Sequence, residues 1–119
     1  LGFDLGYPNQ YDRFHSRWGE PCLVHGAAPS PGSFAVDEAA MTEIHAILAA
    51  ALENRQPFIR VHCFPFRMLD EKMDAKIEAY PENESFWSNL KLGYDFFEIM
   101  RRPPNVTITT RGNYHFAIE

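Results

Sequence analysis

A histidine, a glycine-bearing turn and two serines lie close together in the first third of the chain and could carry nucleophilic chemistry. The pair His25-Gly26 ends a short apolar run, and the segment Ser30-Pro31-Gly32-Ser33 follows shortly after it. A strand end followed by such a turn can expose a nucleophile and leave backbone N–H groups to stabilise an oxyanion. A nearby histidine can serve as the general base. Taken alone the pattern is weak, because a His-Gly pair with serines beyond it is ordinary loop chemistry in most proteins.

The elements that would position these residues are predicted from turn residues and hydrophobic spacing. Residues 21–25 form an apolar run between Pro21 and Gly26, which predicts a buried strand ending at His25. Residues 26–34 are rich in proline, glycine and serine, a composition typical of a loop. A helix is predicted from Asp37 to about residues 54–56, because apolar residues recur there at three- and four-residue steps: Met41, Ile44, Ile47, Leu48, Ala51 and Leu52.

The remaining pattern alternates strands and helices. Residues 1–6 read as a strand or its end, and residues 7–12 carry turn chemistry. Phe58–Phe64 is rich in β-forming residues and predicts a strand, whereas residues 69–79 and 84–100 predict helices. The last segments, 106–110 and 114–118, resemble a hairpin. The fold class predicted from this order is α+β or mixed α/β.

Composition limits what the protein can be. A chain of 119 residues, 45% hydrophobic, suits one domain over residues 1–119 with a packed core. The net charge of −5 gives no reason to expect nucleic acid or an anionic membrane as partner. No apolar run approaches the roughly 20 residues of a membrane-spanning helix. Cys22 and Cys63 suggest buried structural thiols, and no spacing suggests a metal site.

A series of short motifs runs through nearly the whole chain in the order and spacing of one known family. On these motifs the chain resembles the YkuD-type L,D-transpeptidases, most closely their branch of peptidoglycan-tailoring and lipoprotein-releasing enzymes. The resemblance implies a mixed β-sheet core with flanking helices. The family's sheet also has strands preceding Leu1, so we expect part of the N-terminal side to be missing here. The motifs are Asp4-Leu5-Gly6-Tyr7-Pro8-Asn9 with Tyr11-Asp12-Arg13, Leu23-Val24-His25-Gly26, Ser30-Pro31-Gly32-Ser33-Phe34-Ala35-Val36, Arg60-Val61-His62 with Phe64-Pro65-Phe66-Arg67-Met68, and Phe86-Trp87 with Gly93-Tyr94-Asp95-Phe96-Phe97.

The family's active-site pattern is a His-Gly pair followed by Ser-x-Gly-Cys, in which the cysteine is the nucleophile. Carried over by position, the resemblance makes His25 the general base and gives Gly26 a backbone role in orienting it. Ser30 and Gly32 shape the loop, and Ser33 occupies the place of the nucleophile. Such enzymes attack the carbonyl of a stem-peptide amide at a diaminopimelate centre and form a thioester. They then pass the acyl group to an amine or to water, and they use no cofactor.

Three further residues are candidates for substrate contact. His62 matches a family histidine, although its position in a strand favours a hydrogen-bonded structural role over substrate contact. Arg67 could bind a stem-peptide carboxylate, or it could be an ordinary surface or paired arginine. Tyr11 lies in the early turn, where it could line the cleft or simply pack within the turn.

The serine at position 33 leaves two readings open. A hydroxyl is a far weaker acid than a thiol, whose ordinary pKa is about 8.5, so we expect this form to be nearly inactive. The serine is either an engineered replacement or a natural feature of a pseudoenzyme or serine-using variant. The first hypothesis is therefore an L,D-transpeptidase or related amidase of the periplasm, the cell envelope or the secreted fraction. The second is a protein that binds peptidoglycan or an envelope lipoprotein without turnover.

Overall fold

The computed structural model describes residues 1–26 and 32–118. The chain divides into two compact units, Leu1–Val61 and His62–Glu119, and each unit is described by itself. They are called the first and the second unit below. Both contain helices and short β-strands, so the fold is α+β as the sequence predicts. The single domain over residues 1–119 remains a prediction.

The first unit contains a three-stranded sheet in the order β1-β2-β3. β1 (Gly2–Asp4) runs antiparallel to β2 (Leu23–His25), and β3 (Phe34–Ala35) runs parallel to β2. The prediction that the second strand ends at His25 is confirmed. The central position of β2 means that both of its edges are paired, so its backbone is held from two sides.

Two helices accompany this sheet. α1 (Gln10–Phe14) begins with a capping box, in which the Asn9 side chain accepts from the Asp12 backbone N–H and the Asp12 carboxylate accepts from the Asn9 N–H. The sequence pattern indicates only a turn there. α2 (Glu38–Glu53) confirms the predicted long helix, and Asp37 caps it by accepting a 2.7 Å hydrogen bond from the Ala40 N–H.

The second unit is built on its longest helix. α3 (Asp70–Ala79), a short 3-10 helix (Pro81–Asn83) and α4 (Glu84–Met100) follow one another along the chain. The core of this unit consists of Met68, Met73 and Trp87, packed with partly buried residues: Phe64, Phe66, Ile77, Phe86, Leu90 and Tyr94. Three aromatic residues of α4, Phe86, Trp87 and Tyr94, thus belong to this core or pack against it.

A hairpin completes the second unit and packs on α4. β4 (Asn105–Ile108) pairs antiparallel with β5 (Tyr114–Ala117), which confirms the predicted hairpin. The Asn89 side chain clamps β5, since it donates to the Tyr114 carbonyl at 2.9 Å and accepts from the Tyr114 N–H at 2.8 Å. A Cβ on Gly93 would lie 2.5 Å from the Phe116 ring. Glycine has a low helix propensity, but at this position it leaves room for β5 to pack against α4.

Three local predictions are wrong. Phe58–Phe64 joins no β-ladder within the described residues, because β-forming side chains favour a strand but a ladder also needs a neighbour that offers backbone partners. From His62 to Met68 the segment still alternates between less and more exposed side chains, which places Cys63 on the exposed side instead of burying its thiol. Phe34, predicted as the last residue of a loop, pairs with Val24 of β2 instead.

Candidate functional site

His25 is the last residue of the central strand of the first unit, and it is paired on both sides. Gly2 lies opposite it on β1, and Ala35 lies opposite it on β3. Its carbonyl accepts a 3.0 Å hydrogen bond from the Val36 N–H. The imidazole is half-buried, and its Nε2 atom is buried without a hydrogen-bond partner among the described residues. A buried ring nitrogen of this kind can accept or deliver a proton once a suitable group approaches it.

Gly26 continues from His25 into the start of the loop and is held by close contacts. Its N–H donates to the Leu1 carbonyl at 3.1 Å. A Cβ at this position would lie 2.9 Å from Met41 Cβ and 3.3 Å from Glu38 Cα, both on the first turn of α2. Since these atoms belong to the helix framework, the chain can pass so close to α2 only with glycine here.

Gly32 and Ser33 lead into β3. Gly32 has a φ of +76°, in the left-handed region that favours glycine, and a Cβ there would meet no described heavy atom within 4 Å. Ser33 is half-buried and directly precedes Phe34, which is paired with Val24 of β2. The backbone after Ser33 is therefore anchored to the strand that carries His25.

Ser30, predicted to shape the loop, lies outside the described residues, as do the other residues from 27 to 31. Of the five residues that the family pattern assigns to the active site, the structure thus places His25, Gly26, Gly32 and Ser33. These four lie in the first unit: His25 and Gly26 at the C-terminal end of β2, and Gly32 and Ser33 just before β3.

Tyr11 lies in the first unit as well, but its ring packs within the α1 turn. It is 6% exposed, and its ring centroid is 4.3 Å from that of His15. The guanidinium carbon of Arg17 lies 5.8 Å from the Tyr11 centroid. Burial raises the pKa of the Tyr11 hydroxyl, because removal from water disfavours the phenolate, while nearby Arg17 acts in the opposite direction. These contacts agree with the turn-packing reading of this residue.

The other two substrate-contact candidates, His62 and Arg67, belong to the second unit. The His62 ring lies 6.3 Å from the Phe64 ring in an edge-on arrangement, and the residue is half-buried. Arg67 is exposed, and its carbonyl accepts from the Leu69 N–H at 2.9 Å. Within their own unit, the two residues flank the alternating segment whose inward side chains join the core around Met68.

A cavity of about 400 Å³ lies in the first unit. Its walls come from β1, α2 and the segment containing Ile59 and Val61, and neither His25 nor Ser33 lines it. Among the residues described, no group of three His, Cys, Asp or Glu side chains is arranged to hold a metal ion. No helix within residues 1–26 and 32–118 is long and apolar enough to cross a membrane.

A comparison with curated proteins finds one relationship. No family model matches the chain. It is 39% identical over 111 residues to proteins named "Putative L,D-transpeptidase YafK" from Escherichia coli strain K12 and from E. coli O157:H7. The aligned region covers 93% of this chain and 44% of each relative, so the chain spans less than half of their length. This similarity supports a relationship of the chain to an L,D-transpeptidase-like family.

Two residues that pack against His25 or Gly26 could not be identified from the sequence. Gly2 lies directly opposite the histidine, yet a glycine next to the first residue carries no recognisable motif. Met41 is predicted only as one residue on a helix face, and it is the buried side chain against which Gly26 rests. Both depend on contacts between segments far apart in the sequence, which local patterns do not report.

Proposed function

We propose that this protein carries an L,D-transpeptidase-type acyl-transfer site for peptidoglycan stem peptides. In this site Ser33 occupies the position of the nucleophile and His25 is the general base. In the Ser33→Cys form, the thiolate at position 33 would attack a stem-peptide amide carbonyl at a diaminopimelate centre and form a thioester. The amide C–N bond would break, and the leaving amine would take the proton that His25 had accepted from the thiol. An amine or water, deprotonated by His25, would then attack the thioester and release the thiol. Gly26 would orient the base, and Ser30 and Gly32 would shape the loop around the acyl oxygen.

The observation that carries this proposal is the pairing of β2 with β3. His25 is paired with Ala35, and Ser33 precedes Ala35 by two residues. Residues two apart along an extended chain face the same side, so this register favours one face for the side chains of His25 and Ser33. Paired strands lie about 4.8 Å apart and a parallel strand rises about 3.3 Å per residue, so a Cα two residues along the neighbouring strand lies roughly 8 Å from the His25 Cα, a separation that a histidine side chain can bridge.

The surroundings of Gly32 agree with the same proposal. A substrate carbonyl must approach both the nucleophile and the N–H groups that stabilise its developing negative charge. Among the described residues, no heavy atom that could obstruct this approach lies within 4 Å of a Cβ on Gly32. The Nε2 atom of His25 has no hydrogen-bond partner among the described residues, which supports a proton-transfer role, because a ring nitrogen without a fixed partner can exchange a proton with an approaching group.

The serine determines how active this form can be. A histidine with an ordinary pKa of about 6.5 readily shares a proton with a thiol but not with an aliphatic hydroxyl. Attack by Ser33 would need a concerted base and a closely fitted oxyanion hole, and a misplacement of about 1 Å can cost roughly 100-fold in rate. We therefore expect the serine form to turn over very slowly and its Ser33→Cys variant to be active.

The test is to incubate the Ser33→Cys variant with defined muropeptides and to follow the products by mass spectrometry. The expected products are cross-linked, exchanged or trimmed stem peptides, together with an acyl adduct on the introduced cysteine. Ser33→Ala measures the background, and Ser33→Cys combined with His25→Ala removes the base while keeping the thiol. Absence of both product and adduct from the folded Ser33→Cys variant would contradict the proposal.

A binding function is the second candidate, and Ser33 itself favours it. A protein that holds stem peptides or an envelope lipoprotein without turnover has no need for a thiol at this position. Titration of the unmodified chain with stem peptides, followed by calorimetry, should then saturate. Saturable binding together with an inactive Ser33→Cys variant would favour this candidate over the catalytic one.

A further inference from the structure

Gly2 lies against His25 more closely than any residue with a side chain could. A Cβ built on Gly2 would lie 2.7 Å from the Val24 carbonyl oxygen and 3.1 Å from His25 Cβ. The first distance is shorter than real Cβ contacts, and it involves a backbone atom of the neighbouring strand, which cannot rotate away. Residues opposite each other in an antiparallel pair normally keep their Cβ atoms about 4.5–5.5 Å apart. At Gly2, the backbone of β1 therefore occupies the space that a side chain facing His25 would otherwise fill.

The position of β1 is constrained on both sides of this contact. The Gly26 N–H donates to the Leu1 carbonyl at 3.1 Å, and the Leu5 N–H donates to the Cys22 carbonyl at 2.9 Å. The register between them pairs Gly2 with His25. A side chain at position 2 thus cannot be accommodated by a small slide of the strand, because sliding would break hydrogen bonds at both ends of the pair.

From these contacts we infer that Gly2 is a positioning residue for His25, and this inference rests on the function proposed above. The missing side chain at position 2 allows the Cα–Cβ bond of His25 to lie directly against β1, which sets the direction in which the imidazole leaves the sheet. Gly2 touches no reacting atom. It acts through the placement of the base relative to residue 33.

A side chain at position 2 should change this placement. The contact with the Val24 oxygen would have to lengthen from 2.7 Å to about 3.4 Å, the start of ordinary van der Waals contact. The strands must then separate beside His25, or the histidine must change its χ1 rotamer. Since misplacement by about 1 Å can cost roughly 100-fold, we expect Gly2→Ala to lower kcat on the order of 10-fold or more. Because Gly2 contacts His25 and not the substrate, KM should change much less.

The experiment has one readout that depends on activity and one that does not. In the Ser33→Cys background, kcat and KM are measured with muropeptides for Gly2→Ala, Gly2→Val and the control Leu1→Ala. Leu1 is the neighbouring residue and its side chain is 68% exposed, so the control alters the same end of β1 without facing His25. In the unmodified Ser33 form, NMR measures the three-bond couplings that report χ1 of His25 and the cross-relaxation between His25 Hβ and Gly2 Hα. Urea unfolding of each variant corrects the rates for the folded fraction.

The expected result is a graded loss of kcat from glycine to alanine to valine, with little change in KM and in the Leu1→Ala control. The NMR couplings should show a changed χ1 population for His25 in Gly2→Ala. Unchanged couplings together with an unchanged kcat in folded Gly2→Ala would overturn the inference. If the Ser33→Cys variant with Gly2 intact forms no product, the proposed function fails instead, and the couplings alone decide whether Gly2 orients the histidine.

Discussion

The two units of this chain are stabilised in different ways. In the second unit, Met68, Met73 and Trp87 form a buried cluster surrounded by six partly buried apolar residues. In the described part of the first unit, the buried side chains are Tyr11 and Met41, which are not part of such a cluster. In that unit, close backbone contacts at Gly2, opposite His25, and at Gly26, directly after it, take the place of a large core. The unit with the candidate chemistry is thus the one in which backbone placement matters most.

This difference has a physical consequence for function. A hydrophobic core tolerates changes that keep volume and pattern, because burial is non-directional. A site in which two side chains must meet at a set distance depends on where the backbone lies, and a shift of about 1 Å is costly. We therefore expect substitutions in the second unit to act on stability, and small substitutions beside His25 to act on both stability and placement.

The largest effect on stability is expected from Trp87→Ala. Trp87 is 8% exposed, and its ring lies edge-on to those of Phe66 and Tyr80, with centroid distances of 5.1 and 6.0 Å. Truncation of a buried tryptophan costs roughly 3–5 kcal/mol of unfolding free energy. Urea unfolding followed by circular dichroism measures this loss. Leu92→Ala is the control, because Leu92 lies on the same helix but is 61% exposed, and a similar loss there would contradict the assignment of the core.

Gly26→Ala tests the corresponding contact in the first unit. The new Cβ would lie 2.9 Å from Met41 Cβ, and the first turn of α2 must move to accept it. Insertion of a methyl group into a tight contact costs about 1–3 kcal/mol, so the free energy of unfolding should fall by this amount. The measurement is again urea unfolding. A variant as stable as the parent would show that the start of α2 yields easily and that Gly26 is not required by space.

Gly93→Ala should have a smaller net effect, because two contributions oppose each other. Alanine favours a helix by about 1 kcal/mol over glycine, whereas the new Cβ would lie 2.5 Å from the Phe116 ring. We expect a net destabilisation of about 1 kcal/mol, since overpacking at a tight contact outweighs the gain in helix propensity. In a Phe116→Ala background the clash disappears, so the same substitution should become stabilising. A double-mutant cycle measures this reversal of sign, and additive effects of the two substitutions would contradict the packing account.

The smallest effect is expected for Lys91→Met. The Lys91 Nζ lies 2.7 Å from an Asp95 carboxylate oxygen and 2.9 Å from Asp70, which links α4 to the first residue of α3. The hydrogen bonds to Asp95, and then to Asp70, raise the pKa of Lys91 above its ordinary value of 10.5. Because the folded pKa is the higher one, this stabilisation is fully present below 10.5 and is lost as the pH rises through the folded value.

For this largely surface network the difference in unfolding free energy should be roughly 0.5–1 kcal/mol at about pH 8. Unfolding of the parent and of Lys91→Met at about pH 8, and again above about pH 11, measures it, and the difference should shrink at the higher pH. A difference that grows between these two pH values would contradict the sign of the shift.

Much of the second unit can be predicted from the sequence, since its elements carry strong local signals. The apolar spacing along α4 and the turn residues of the β4–β5 hairpin predict elements that the structure confirms. In the first unit the strand ending at His25 and the helix after Asp37 are predicted for the same reason. The capping box at Asn9 is readable from residue types, but the turn residues around it indicate a loop.

The pairing that brings the candidate site together cannot be predicted from local pattern. β3 is two residues long and follows a segment rich in proline and glycine, and its partner β2 lies on the other side of that segment. Such a short parallel pairing depends on contacts across the sheet and has no periodicity of its own. The family motifs draw attention to His25 and Ser33, whereas the register between their strands comes only from the structure.

The most direct test of the account is whether residue 33 and His25 interact chemically. In the Ser33→Cys variant, the rate at which iodoacetamide alkylates the introduced thiol is measured against pH, with peptide mapping to separate it from Cys22 and Cys63. Pairing with His25 should give a reactive thiolate well below the ordinary thiol pKa of about 8.5, and His25→Ala should return the profile to that value. An ordinary profile that His25→Ala leaves unchanged would show that the two side chains do not form a catalytic pair.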